Sequence, residues 1–313
     1  MSRAVVFAYH NVGVRCLKAL LARGVEVGLV VTHQDNPAEL IWFESVAGVA
    51  AEAGIPVITP EDPNTPEVLA LVRDARPDFL FSFYYRHMLK APLLEAAPRG
   101  AFNLHGSLLP KYRGRVPVNW AILHGETETG ATLHVMNVKP DNGPIVDQMA
   151  VPILPDDTAR EVFDKLTVAA EIVVWRSLPG LIEGSAEFRE QDLSQGAYFG
   201  GRRPEDGRLP ATASAKALHD FVRALTHPYP GAFAEVGGKR LVIWRTRRVG
   251  STETPPAVTR LVAREADLLI EASDGGLLQV LSAELDGQPL DAATWADLYG
   301  RDPIALSWLL RNS

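Results

Sequence analysis

Through the first two hundred residues, short apolar runs alternate with segments carrying apolar residues at helical spacing, and this rhythm most constrains the fold. Residues 4–8 form an apolar run, 14–23 have helical periodicity, Glu26–Val31 is strand-like, and 42–53 reads as a helix ended by Gly54. A brief strand at 55–58, a helix at 66–75 and strands at Phe79–Phe83 and 100–105 continue the pattern. Such repetition calls for an α/β fold, a mostly parallel sheet with helices on both faces. Ligands of these sheets bind beyond the carboxyl ends of the strands, at the point where strand order reverses. A dinucleotide-dependent oxidoreductase would need Gly-x-Gly-x-x-Gly after its first strand. The corresponding turn here is Tyr9-His10-Asn11-Val12-Gly13, with one glycine, which argues against that class.

After Gly130 the texture changes. Residues 131–138 and 145–153 read as two strands joined through Pro140-Asp141-Asn142-Gly143, a strong turn sequence. A long amphipathic helix is expected over 158–178, with Asp156, Asp157 or Thr158 available as its cap. Residues 194–212, rich in Gly, Arg, Pro and Asp, read as a linker. Beyond it come a helix at 214–225 and five short strands near 232–236, 240–247, 258–264, 267–272 and 277–283, the pattern of a small OB-like barrel. Two domains are therefore expected, 1–203 and 204–313.

The formal net charge is −7, so no broad positive field invites nucleic acid. The local run Lys111, Arg113 and Arg115 suits a few phosphates instead. One cysteine, Cys16, permits no intrachain disulfide and no cysteine-rich metal centre, and no metal is expected. No apolar stretch approaches the ~20 residues that span a bilayer. With no charged-then-apolar leader at the start, a cytoplasmic protein is expected.

The chemistry concentrates in Ala101-Phe-Asn-Leu-His-Gly-Ser-Leu-Leu-Pro-Lys-Tyr-Arg-Gly-Arg115. Side chains alternate along a strand, so Phe102 and Leu104 share one face while Asn103 and His105 share the other. Residues two apart lie roughly 6.5–7 Å apart along a strand, near enough to reach one reacting group. Helical segments on either side make this a central strand, where polar residues need a reason. Asp141, on the later turn, adds a carboxylate. Ser107, which with Gly106 ends the strand, reads as a turn hydroxyl rather than a nucleophile.

The run Phe102-Asn-Leu-His-Gly-Ser-Leu-Leu-Pro-Lys-Tyr-Arg-Gly114, followed by Asp141 and then Asn142-Gly-Pro-Ile-Val-Asp-Gln148, resembles the folate-dependent formyltransferases. The resemblance implies a Rossmann-like catalytic domain with a carboxyl-terminal barrel, and Asn103, His105 and Asp141 as catalytic residues. It implies 10-formyltetrahydrofolate as formyl donor, held by His87, Met88, Leu89, Arg115 and the stretch Asn137, Val138, Lys139, Pro140 and Asp141. That stretch is less basic than the family's usual sequence before the aspartate.

Segments at 7–13, 32–37, 81–88, 103–120 and 125–134 resemble the branch of the family that formylates UDP-4-amino-4-deoxy-L-arabinose for lipid A modification and polymyxin resistance. In that branch a decarboxylating half follows, with no counterpart here, so any decarboxylase activity is expected on a separate polypeptide. The expected partner is a nucleotide sugar, with neither nucleic acid nor membrane involved. Alternatives are another nucleotide-linked amino sugar, methionyl-tRNA as acceptor, a folate hydrolase, and a non-catalytic folate-binding protein.

Overall fold

The expected alternation is realised in the computed structural model, which describes residues 2–37 and 39–306. The tail of the expected second domain, 307–313, lies outside the described residues. In chain order come β1 (Arg3–Ala8), α1 (His10–Ala22), β2 (Glu26–Val31), α2 (Val46–Glu52), β3 (Val57–Ile58), α3 (Pro66–Asp74), β4 (Phe79–Phe83), α4 (Ala91–Leu94) and β5 (Ala101–His105). Then follow β6 (Arg113–Gly114), α5 (Pro117–Leu123), β7 (Glu128–Val135), β8 (Ile145–Pro152), α6 (Ala159–Glu183) and β9 (Tyr198–Phe199).

The main sheet has the order β3-β2-β1-β4-β5-β7-β8. Neighbours from β3 to β5 run parallel, while β7 and β8 form an antiparallel hairpin against β5. The fold is thus Rossmann-like and mostly parallel. Strand order reverses between β1 and β4, and β5 lies next to that point. Phe79, Phe81 and Phe83 of β4 are fully or almost fully buried, and the ring of Phe81 stacks on Phe102 of β5 at 5.8 Å. Each such side chain contributes roughly 1.5–3 kcal/mol of burial. At the turn where a dinucleotide fingerprint would lie, Gly13 serves packing. A Cβ there would sit 3.1 Å from Ala8 and Val46.

Local chemistry explains where helices depart from the sequence pattern. The helix expected from residue 42 begins at Val46, because Ser45 caps it by accepting the Gly48 N–H at 3.1 Å. Of the three possible caps for α6, Thr158 is the one used. Its Oγ1 accepts from Glu161 N at 3.3 Å while Glu161 Oε2 accepts from Thr158 N at 2.7 Å, a capping box. This helix continues past 178 through Pro179, which deprives the Trp175 carbonyl of its helical donor. Arg23 Nε supplies the missing bond at 3.2 Å.

Internal contacts group the chain into two compact units, one of 1–117, 128–152 and 163–201, the other of 118–127, 153–162 and 202–313. The second contains α7 (Ala215–Leu225), β10 (Ala232–Val236), β11 (Lys239–Ser251), β12 (Arg260–Arg264), β13 (Asp267–Glu271), β14 (Gly276–Leu285), β15 (Gln288–Pro289), α8 (Ala292–Tyr299) and β16 (Ile304–Ala305). Its sheet follows β10-β11-β14-β13-β12-β16, antiparallel throughout. The result is a curled half-barrel of OB-like kind around Leu241, Ile243, Ile270, Leu278 and Trp295.

Candidate active site

The alternation along β5 sorts its side chains as expected. Phe102 and Leu104 are each 1% exposed on the apolar face. On the opposite face Asn103 pairs in register with Ser82 of β4 and His134 of β7, and His105 with Thr132 of β7. The polar stripe therefore continues sideways across the sheet. Thr132 Oγ1 donates to the Ser107 carbonyl at 2.6 Å and accepts the Leu109 N–H at 3.2 Å. Ser107, fully buried, donates to the Lys111 carbonyl at 2.6 Å. Ser107 is a turn hydroxyl holding the loop after β5.

Asp141 reaches the stripe from the connection between β7 and β8. Asn137, Val138 and Lys139 are exposed there, whereas Asp141 turns inward. Its φ of 55° is left-handed, which aspartate tolerates better than most residues. Gly143 permits the tight return, since a Cβ there would lie 1.9 Å from the Val135 carbonyl oxygen.

Asn103, His105 and Asp141 come together, joined by a residue that the sequence did not single out, His134. Asp141 Oδ1 lies 3.5 Å from both His105 Nδ1 and His134 Nε2. Asp141 Oδ2 accepts the Gly114 N–H at 2.8 Å. Asn103 Nδ2 is 3.1 Å from His134 Nε2, and His134 Nδ1 donates to the Val135 carbonyl at 2.9 Å. His105 Nε2 donates to the Tyr112 carbonyl at 2.8 Å. Each histidine thus has one nitrogen fixed as a donor, leaving His105 Nδ1 without a close hydrogen bond. Burial alone would push the Asp141 carboxyl up, but His105, His134 and the Gly114 N–H together hold it below the ordinary carboxylate range. It is ionised at neutral pH.

Sequence offered one sign of His134. Ala131-Thr-Leu-His-Val135 repeats the polar period of two found in Asn103-Leu-His105. Gln191 carried no such signal; its Nε2 donates to the Asp141 and Gly143 carbonyls at 3.2 and 2.6 Å. Two acceptor atoms near Asp141, Asn142 Oδ1 and Gln191 Oε1, are buried without a hydrogen-bond partner.

The expected folate residues divide by environment. His87 and Met88 are exposed, Met88 at 54%, while Leu89 is buried in the core. Asn64 secures this segment, donating to the Met88 carbonyl at 3.0 Å and accepting the Lys90 N–H at 2.8 Å. Beside it, His33 stacks on Tyr85 at 4.2 Å and meets His87 edge-on at 4.8 Å. Burial, then the neighbouring His87 and Arg86, lower the His33 pKa to about 4, so its Nε2 is the neutral acceptor of the Arg86 N–H. Arg115 is exposed, but Arg113 is committed to carbonyls, Leu193 at 3.2 Å and Gly196 at 2.8 Å. Of the basic run, Arg113 is thereby a structural tie and no free phosphate ligand. Among the described residues no cluster of three or more His, Cys, Asp or Glu could hold a metal ion, and no helix is long and apolar enough to cross a membrane.

Solved structures share this fold at low sequence identity. An N-formyltransferase from Helicobacter canadensis, in complex with folinic acid and dTDP-3-aminofucose, matches 93% of this chain and 100% of its own with a TM-score of 0.71 and 21% identity. WlaRD, a sugar 3N-formyl transferase solved with dTDP and 5-N-formyl-THF, matches 93% of this chain and 98% of its own at TM-score 0.69 and 20% identity. HypX from Aquifex aeolicus, with tetrahydrofolic acid, covers 96% of this chain by 49% of its own at TM-score 0.62 and 18% identity. By sequence, residues 3–178 match the formyl transferase family and residues 202–300 the formyl transferase C-terminal domain. The chain belongs to the formyl transferase family.

Proposed function

We propose that this chain transfers a formyl group from 10-formyltetrahydrofolate to the 4-amino group of UDP-4-amino-4-deoxy-L-arabinose, with Asn103, His105 and Asp141 as the reacting set. The observation that carries this reading is the meeting of amide, imidazole and ionised carboxylate in one buried cluster at the carboxyl end of β5. The two co-substrates are water-soluble, so a cytoplasmic site of action belongs to the reading. So do a catalytic domain of 1–203 and a carboxyl-terminal domain of 204–313.

Attack of a neutral amine on the formyl carbon places negative charge on the formyl oxygen. Asn103 has a second amide hydrogen beyond the one facing His134, and one donor at a developing oxyanion is worth ~3–4 kcal/mol. His105, anchored through Nε2, has Nδ1 available to pass a proton to the departing folate nitrogen. A carboxylate held below the usual range is a poor resting base. Asp141 therefore acts mainly by stabilising positive charge on His105, while the amine's proton, acidic once the new C–N bond has formed, moves toward it. No covalent enzyme adduct is required.

The residues present suit a flat carrier with a polar edge. The segment 87–90, fixed by Asn64, presents the exposed His87 and Met88 beside the stacked His33 and Tyr85 rings, and Asn142 Oδ1 and Gln191 Oε1 are acceptors in want of donors. The two solved relatives, one with dTDP-3-aminofucose and one a sugar 3N-formyl transferase with dTDP, favour a second reading, a dTDP-linked 3-amino-hexose as acceptor. Formyl-folate incubated in parallel with UDP-4-amino-arabinose, dTDP-linked 3-amino- and 4-amino-hexoses and charged initiator tRNA, with products read by mass spectrometry, tests both. Formylation of the tRNA alone would remove the sugar assignment.

A further inference from the structure

The two side chains expected to handle protons, His105 and Asp141, are held by a neighbouring loop through main-chain atoms alone. The Tyr112 carbonyl takes His105 Nε2 and the Gly114 N–H takes Asp141 Oδ2, each at 2.8 Å. Neither contact can be altered by exchanging the side chain of Tyr112, so the position of the loop backbone decides the site. That backbone is not relaxed. Tyr112 has φ 54° and Gly114 φ 101°, the left-handed region that a tyrosine rarely enters without support from outside.

The support comes from one continuous surface segment. Arg113 N donates to the Ala197 carbonyl at 3.1 Å and Arg115 N to the Phe199 carbonyl at 2.9 Å, forming the small parallel pair β6–β9. The Arg113 guanidinium adds its bonds to the Leu193 and Gly196 carbonyls. The Tyr112 and Phe199 rings stack at 5.2 Å. At Gly196 the two backbones are so close that a Cβ would lie 1.9 Å from the Pro110 carbonyl oxygen. Two residues before this stretch, Gln191 holds the opposite wall through the Asp141 and Gly143 carbonyls. Asp192 stiffens the segment by accepting from Ser194 N, Ser194 Oγ and Gln195 Nε2. Most of its residues are exposed, so burial does not explain its shape.

We propose that residues 191–199 are a strap that sets the distance between His105 and Asp141, which makes Gly196 and Phe199 positioning residues for formyl transfer. The inference rests on the formyl-transfer reading above. A segment with the composition of a linker thereby becomes part of the machinery, although none of its side chains needs to touch the reacting atoms.

Steady-state kinetics of the 313-residue chain with 10-formyltetrahydrofolate and its amino-sugar acceptor test the strap. Gly196 has φ −157°, which alanine adopts freely, so Gly196→Ala acts through its Cβ, which must push the two backbones apart at the Pro110 carbonyl. The expected result is a ~10–100-fold fall in kcat, the scale of a small misplacement of reacting groups, with little change in KM. The acidic limb of the pH–rate profile should move up, because Asp141 loses the Gly114 N–H while keeping His105 and His134. Phe199→Ala should behave alike, and Phe199→Tyr, which keeps the ring, should restore the parent rate. Parent-like kcat in both Gly196→Ala and Phe199→Ala overturns the strap. So does a loss of rate that follows the thermal midpoint with an unmoved pH profile, since that is a stability effect alone. If the parent chain formylates no acceptor, the proposed function fails instead. The strap is then read from the imidazole NMR signals of His105 and His134, which Gly196→Ala should shift and which, if unchanged, overturn it.

Discussion

Two buried polar clusters in this chain use similar side chains and end in opposite states. In the half-barrel unit, Glu271 is fully buried and faces both Arg260 and Arg264 across the β12–β13 pair. Asp220, 3% exposed, holds Arg223 at 2.7 Å and Lys216 at 2.6 Å, and Arg223 donates further to the Leu154 and Asp157 carbonyls. These networks close on themselves. The cluster around Asp141 does not. Its contacts with both histidines are 3.5 Å, and His105 Nδ1, one Asn103 hydrogen, Asn142 Oδ1 and Gln191 Oε1 lack close partners. A structural network satisfies its members at short range, whereas a reactive one keeps hydrogen-bonding capacity in reserve, at a cost in stability that the surrounding sheet must bear.

The contrast predicts that equivalent truncations fail in different ways. His105→Ala should lower kcat by about 10²–10⁴-fold while its urea unfolding midpoint stays close to the parent's. A parent-like rate would take His105 out of the reacting set. Asp220→Ala, which strands the buried Arg223, should cost about 3–5 kcal/mol of stability by urea denaturation while the rate per folded molecule holds. A rate loss in that variant would dissolve the distinction between the clusters.

His134→Gln should fall between them, lowering kcat by about tenfold, or ~1.4 kcal/mol in the barrier. It leaves His105 in place but removes a partner of both Asn103 and Asp141. The smallest effect concerns pH. Because the folded-state pKa of Asp141 is depressed, the stability it contributes is fully present above the ordinary carboxylate pKa of about 4. That contribution is lost only as pH falls through the lower folded value. Thermal midpoints of the parent and Asp141→Asn should therefore still be separated at about pH 5 and converge only in stronger acid. Convergence near neutrality would mean that His105 and His134 do not hold the carboxylate as described.

Much of the fold was legible because its signals are local. Periodicity separated strands from helices, the cap of the long helix was narrowed to Asp156, Asp157 or Thr158, and the alternation in Phe102-Asn-Leu-His105 separated core from site. The pairing of Asn103 with His134 was less visible, since register between distant strands is set by packing. Arg113 looked like a phosphate ligand because its guanidinium was known and its neighbours were not. The stretch 194–212 looked like a linker because glycine and proline mark irregular backbone whether or not that backbone is held in place.

Sequence by itself determined the polar identities at 103, 105 and 141 and that Asn103 and His105 share one face of β5, since side-chain alternation follows from backbone geometry alone. Only the tertiary structure decided that Asp141 meets both His105 and His134, that Tyr112 and Gly114 hold the pair through backbone atoms, and that 191–199 seats the loop carrying them. Those contacts join segments far apart in the chain, where packing and hydrogen-bond satisfaction select the neighbours and no local residue pattern encodes them.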